Sequence, residues 1–111
     1  MINELIVDTL DPLDIPVEYQ EYTGEEVDTY ITFFTYLDQG EDFSEDEEES
    51  TGYYIQIDVW YKKDIGDLCK NIVDIFKGKD FTKINKRDMP RETDTGIYHT
   101  VISLFYLEEN N

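Results

Sequence analysis

The chain predicts an α+β fold, a mostly antiparallel sheet of about four to five strands carrying two helices, in the order α-β-β-β-α-β-β. Three observations lead there. "YYIQIDVWY" alternates with a period of two, placing Tyr53, Ile55, Ile57, Val59 and Tyr61 on one face and Tyr54, Gln56, Asp58 and Trp60 on the other. "DIGDLCKNIVDIFKG" instead repeats at helical spacing through Ile65, Leu68, Cys69, Ile72, Ile75 and Phe76. The third is size and composition: 111 residues, 40% of them hydrophobic, make one folded domain over residues 1–111.

Along the chain, Ile2, Leu5, Ile6, Leu10 and Leu13 form a helical stripe, and Pro12 should fall near that helix's end because proline loses a hydrogen bond and clashes inside a helix. "IPVEYQEY" then reads as a short strand, with Pro16 at its start suiting a sheet edge. "TYITFFTYL", residues 29–37, is β-branched and aromatic almost throughout and reads as a second strand. After "YYIQIDVWY", Asp64 is the expected N-cap of the second helix, spanning about residues 65–77, with Gly78 as its stop. A short strand near Phe81–Asn85 follows. "GIYHTVISLFYLEE" closes the chain as a long strand, apolar on both faces from Val101 to Leu107 and therefore expected at the centre of the sheet or covered twice.

Between the second and third strands lies "GEDFSEDEEES", with seven carboxylates (Glu41, Asp42, Glu45, Asp46, Glu47, Glu48 and Glu49) and no base. It reads as a long, mobile hairpin loop over about residues 39–51. The formal charge of the whole chain is −18, from 27 acidic residues against nine basic ones. Such a surface repels both the nucleic-acid backbone and an anionic membrane leaflet, so neither is an expected partner. The charge keeps a protein soluble and monomeric until needed, or imitates or repels nucleic acid. One cysteine, Cys69, allows no internal disulfide and fits a reducing compartment. With no signal-peptide pattern at the N-terminus, the expectation is a soluble cytoplasmic protein.

A search for catalytic chemistry returns no constellation. His99 and Cys69 are the only histidine and cysteine, and Cys69 sits on the apolar helix stripe, where a free thiol packs as a small core residue. His99 reads as a packed or edge histidine. The six glycines are scattered and form no phosphate loop, and one Cys with one His does not make a zinc site. The acidic stretch lacks the alternating ligands and central glycine of an EF-hand, leaving only weak divalent binding by clustered carboxylates. The expectation is a non-enzyme with no cofactor and no dedicated metal site. Interaction features say more. Tyr54 and Trp60 share a mixed aromatic and polar strand face, which suits a subunit contact; the alternative is that a helix or the loop covers Trp60.

The succession of a short N-terminal helix, "IPVEYQEY", "YITFFTYLDQGED", an acid-rich connection, "YYIQIDVWYKKD", the helix "DIGDLCKNIVDIFKG", "FTKIN" and "ETDTGIYHTVISLFYLEE" resembles the tail-terminator and head-to-tail joining proteins of long-tailed bacteriophages. The resemblance spans nearly the whole chain and rests on order and spacing, not on one motif. It implies a structural protein of a phage or prophage tail, assembled in the bacterial cytoplasm and located in the virion tail. Its relatives form rings, usually of about six subunits, that cap the tail tube and present a surface to the head connector. The implied partners are further copies of itself, the tail-tube protein and the head–tail connector. The acidic stretch would then line the path of the genome, lie solvated outside, or order on contact with a partner. A different reading of the same charge is an acidic DNA mimic that inhibits a nucleic-acid-binding host protein.

Overall fold

The computed structural model describes residues 2–44 and 47–109, including all of their side chains except those of 39, 41–44 and 47–49. It is an α+β fold with two helices and a five-stranded sheet. The elements are α1 (Ile2–Leu10), a 3-10 turn (Asp11–Leu13), β1 (Val17–Tyr19), β2 (Thr29–Ser44), β3 (Glu47–Tyr61), α2 (Leu68–Lys77), β4 (Thr82–Met89) and β5 (Tyr98–Glu109). The sheet order is β1-β2-β3-β5-β4.

Two features of the expected architecture are corrected. The sheet is mixed: β2–β3, β3–β5 and β4–β5 are antiparallel, but β1 runs parallel to β2, pairing Val17 with Ile31 and Tyr19 with Phe33. The chain must therefore travel back between β1 and β2, and residues 20–28 make that return. The element order also gains the 3-10 turn. Pro12 lies within it, one turn past α1, and Asp14 closes it in the left-handed region at φ 55°.

The acidic stretch is the third correction. It does not form a loop over 39–51. The β2–β3 ladder runs on through Gln39↔Gly52, Glu41↔Ser50, Phe43↔Glu48 and Ser44↔Glu47, and Glu45 and Asp46 lie outside the described residues. Strand pairing satisfies backbone N–H and C=O groups that a loop would leave to water, and it is indifferent to the charge of the side chains. The result is an elongated molecule, 54 × 26 × 25 Å.

Both helices pack on one face of the sheet. Ile6 and Leu10 of α1, and Cys69, Ile72, Val73 and Phe76 of α2, join Ile31, Phe33, Ile55, Ile57, Val59, Ile102 and Leu104 in a single core. The face of "YYIQIDVWY" read as core is the one that faces the helices. Each fully buried Ile, Leu or Phe there contributes on the order of 1.5–3 kcal/mol of transfer free energy. Phe81 extends this core, edge-on to Phe76 with centroids at 4.9 Å and tilted against Tyr106 at 4.5 Å. α2 starts four residues after Asp64, so Asp64 is not its cap. Its carboxylate accepts the N–H of Gly66 at 2.8 Å, in a turn where Gly66 takes φ +56°. Gly78 does terminate the helix, its N–H bonding to the carbonyl of Asp74.

Candidate functional site: the helix-free face and the acidic hairpin

The sheet face opposite the helices is built by the alternate residues of the same strands. Tyr30, Thr32 and Phe34 of β2, Tyr54, Gln56, Asp58 and Trp60 of β3, and His99, Val101, Ser103 and Phe105 of β5 lie on it, as the strand registers require. The two candidate interface residues, Tyr54 and Trp60, are thus on one face, and each is half-buried. Neither α1 nor α2 covers Trp60. The indole lies in an aromatic row that crosses the sheet: Tyr22 stacks on Tyr30 at 4.3 Å, Tyr30 neighbours Trp60 at 6.1 Å, and Trp60 stacks on His99 at 3.7 Å. Tyr22 comes from the β1–β2 return, so one end of the row is capped by a connecting segment. A recess of about 230 Å³ opens beside Trp60, lined by Gln20, Glu21, Tyr22, Tyr30 and Thr32.

Tyr54 belongs to a second group nearer the hairpin end. It contacts Phe105 at 4.9 Å and Tyr36 at 6.1 Å. Tyr36 and Leu37 on β2 and Leu107 on β5 are all more than 40% exposed, so apolar surface continues toward the hairpin end of the sheet. The β2–β3 register shifts between Thr35 and Leu37, which makes Tyr36 the extra residue of a bulge.

A polar network anchors the row. Asp58 is buried, and its carboxylate accepts an imidazole N–H from His99 Nε2 at 2.7 Å and the amide of Gln56 at 2.9 Å. The indole N–H of Trp60 donates to Thr32 Oγ1 at 3.0 Å. A buried carboxylate without such donors would cost several kcal/mol, on the order of the penalty for an unpaired buried charge. His99 is therefore a packed histidine holding Asp58. The sequence showed the face but not this pairing, because His99 and Asp58 are 41 residues apart in the chain.

The return segment is fixed by its own contacts. The Glu18 carboxylate accepts the N–H of Thr23 and of Gly24 and the hydroxyl of Thr23. Glu26 pairs with Lys62 at 2.7 Å, and that hydrogen bond holds the Glu26 carboxyl below, and the Lys62 ammonium above, their ordinary ranges. Cys69 is buried on the core side of α2, on the other side of the sheet from this face, and burial pushes its thiol up. No group of three His, Cys, Asp or Glu side chains among the described residues is arranged to hold a metal ion.

Of the seven acidic candidates, Glu41 and Asp42 occupy β2 and Glu47, Glu48 and Glu49 occupy β3, while Glu45 and Asp46 lie outside the described residues. What the sequence reading missed is the opposite charge at the other sheet edge. Lys83, Lys86 and Arg87 lie on β4, whose residues are all exposed. The signal was present: every Lys and Arg of the chain lies between Lys62 and Arg91. Among the described residues, no helix is long and apolar enough to cross a membrane. Compared with models of known protein families the chain matches none, and no curated protein matches it.

Proposed function

We propose that the protein is a structural subunit of a phage or prophage tail, a terminator that forms a ring on the end of the tail tube and joins it to the head connector. The observation that carries this reading is the one-sided sheet. Both helices lie on one face, and the opposite face carries half-buried aromatic rings continuing into exposed Tyr36 on the long β2–β3 hairpin and Leu107 on neighbouring β5. Large aromatic side chains with a polar border are what subunit contacts are made from. The family resemblance of the whole chain supports the same reading, by analogy of element order.

In that role the acidic hairpin faces the path of the genome and keeps DNA from adhering, since like charges repel at short range. Its strand geometry suits a wall better than a loose loop would. The net charge of −18 per subunit opposes premature closure, so the ring forms on a template or when salt screens the repulsion. Adding the purified protein to elongating tail tubes tests the reading: tube growth stops and the protein is found at one tube end. Unchanged tube growth with no end-bound protein sinks it. The lumenal role is tested separately, by replacing Glu45–Glu49 with Ser and Gly; unchanged DNA ejection contradicts it.

A second reading is favoured by one specific observation. The densest acidic run lies largely on paired strands, and strands repeat same-face positions about 6.7 Å apart, a regular spacing of the kind an acidic DNA mimic needs. Such a decoy binds a basic nucleic-acid-binding protein in a salt-sensitive way and stays monomeric. The two readings part on self-association.

A further inference from the structure

The geometry points to a head-to-tail subunit contact in which the basic outer edge of β4 pairs with the acidic outer edge of β2 of a second copy, continuing the sheet from one subunit into the next. This rests on the ring reading and names the surfaces that close the ring.

Both edges have free backbone. Among the described residues, β4 is bonded only to β5, and β2 is covered on its outer side by β1 only over Ile31–Phe33. From Phe34 to Ser44 that side of β2 pairs with no other strand among the described residues. A row of unpaired N–H and C=O groups is a template for another strand.

Strand direction then fixes the kind of contact. β2, β3, β5 and β4 alternate in direction across the sheet, so β4 and β2 run antiparallel. A second copy in the same orientation therefore offers its β2 antiparallel to β4, with no inversion. That is a heterologous contact, which closes into a ring when its rotation closes.

Charge selects it over the alternatives. Residues 77–91 hold six of the nine basic residues, Lys77, Lys79, Lys83, Lys86, Arg87 and Arg91, against Asp80 and Asp88. Residues 1–61 hold no Lys or Arg at all, and β2 beyond Phe33 carries Asp38, Glu41 and Asp42. Within the described residues, ion pairs engage Lys62, Lys63, Lys70 and His99, and none engages Lys83, Lys86 or Arg87. Pairing β4 with β4, or β2 with β2, would set like charges opposite each other; only β4 with β2 sets basic against acidic. Lysines on an edge strand keep identical edges apart, and here they do so while leaving a complementary edge open. Each edge also shows an exposed apolar residue at its bulge, Ile84 on β4 and Tyr36 on β2.

The register adds a stagger. Within one subunit β4 lies level with the start of β2, since Met89, His99, Trp60 and Tyr30 align across the sheet, as do Thr82, Phe105, Tyr54 and Leu37. The free part of β2 starts further along, so neighbouring copies are displaced along the strands. Sheets that close on themselves have such a displacement, with strands tilted to the ring axis.

Two charge-reversal variants test the contact: Lys83→Glu/Lys86→Glu/Arg87→Glu on β4, and Asp38→Lys/Glu41→Lys/Asp42→Lys on β2. Circular dichroism first establishes that both fold, and light scattering is then run in the salt at which the wild type assembles. Each variant alone should remain at the monomer mass, and an equimolar mixture should recover the assembled mass, because alternating subunits restore every basic–acidic contact. Assembly of either folded variant alone, or a mixture that stays monomeric, overturns the edge pairing. Wild-type protein that assembles while the variants also assemble leaves the ring reading standing and removes only this contact. Wild-type protein that assembles neither in salt nor on added tail tubes removes both.

Discussion

The imidazole of His99 lies flat on the indole of Trp60, with ring centroids 3.7 Å apart and planes 10° from parallel, while its Nε2 bonds to the buried carboxylate of Asp58 at 2.7 Å. One histidine thus joins the aromatic row of the helix-free face to its polar anchor. The stack is possible because Trp60 and His99 are direct cross-strand partners on β3 and β5.

Removing the anchor should be felt. Asp58→Ala leaves the His99 and Gln56 donors without their acceptor in a half-buried setting, and a loss of about 1–3 kcal/mol in unfolding free energy is expected from urea titration. Asp58→Asn keeps an acceptor oxygen and should lose less. Equal stability of Asp58→Ala and wild type would show that the network contributes nothing.

The core makes a sharper demand. Phe76 is fully buried and edge-on to Phe81, so Phe76→Ala should cost about 3–5 kcal/mol by the same titration, because the cavity under α2 cannot fully collapse. Tyr36→Ser, at an exposed bulge, should change stability by no more than about 0.5 kcal/mol.

Cys69 should be a poor nucleophile. Burial disfavours the thiolate and pushes its titration upward, so a thiol reagent should modify native protein much more slowly than protein unfolded in urea, at the same pH. Equal rates in the two states would contradict the packing of α2.

Glu26 gives the pH dependence. Its carboxyl is held low by the Lys62 hydrogen bond, so the pair's contribution is present at neutral pH and is lost as pH falls through the depressed folded value. NMR titration should find Glu26 below the ordinary carboxylate range, and Lys62→Met should return it upward. A titration unmoved by Lys62→Met would show that the pair is not formed in solution.

Trp60, the single tryptophan, reports on its own face. If the helix-free face is buried on assembly, its emission should shift to shorter wavelength as the mass rises. An unchanged spectrum on full assembly would place the contact elsewhere.

Where local pattern decides structure, the sequence was readable. The period of two in "YYIQIDVWY" named the core face, and the helical stripe from Leu68 to Phe76 named the buried side of α2. Pairing was not readable. A three-residue strand such as β1 carries no mark of parallel or antiparallel partnership, and its parallel bond to β2 follows from the long return through residues 20–28. The acidic stretch was misread for a related reason: its side chains signal solvation, but the ladder that holds Glu41 against Ser50 is made by backbone and extended by the register of the aromatic strands behind it. The Asp58–His99 contact, built from two strands distant in sequence, needed the sheet order before it could be seen.

The most direct measurement is the solution mass of the purified protein by light scattering, over a range of concentrations, with added salt and millimolar Mg²⁺, alone and with tail tubes. Screening to a Debye length of about 10 Å removes the long-range repulsion between subunits while leaving contacts at pairing distance in place. The account predicts a rise from 13.2 kDa to a discrete multiple, promoted by salt or by the tube end. A single 13.2 kDa species under every one of these conditions would contradict it.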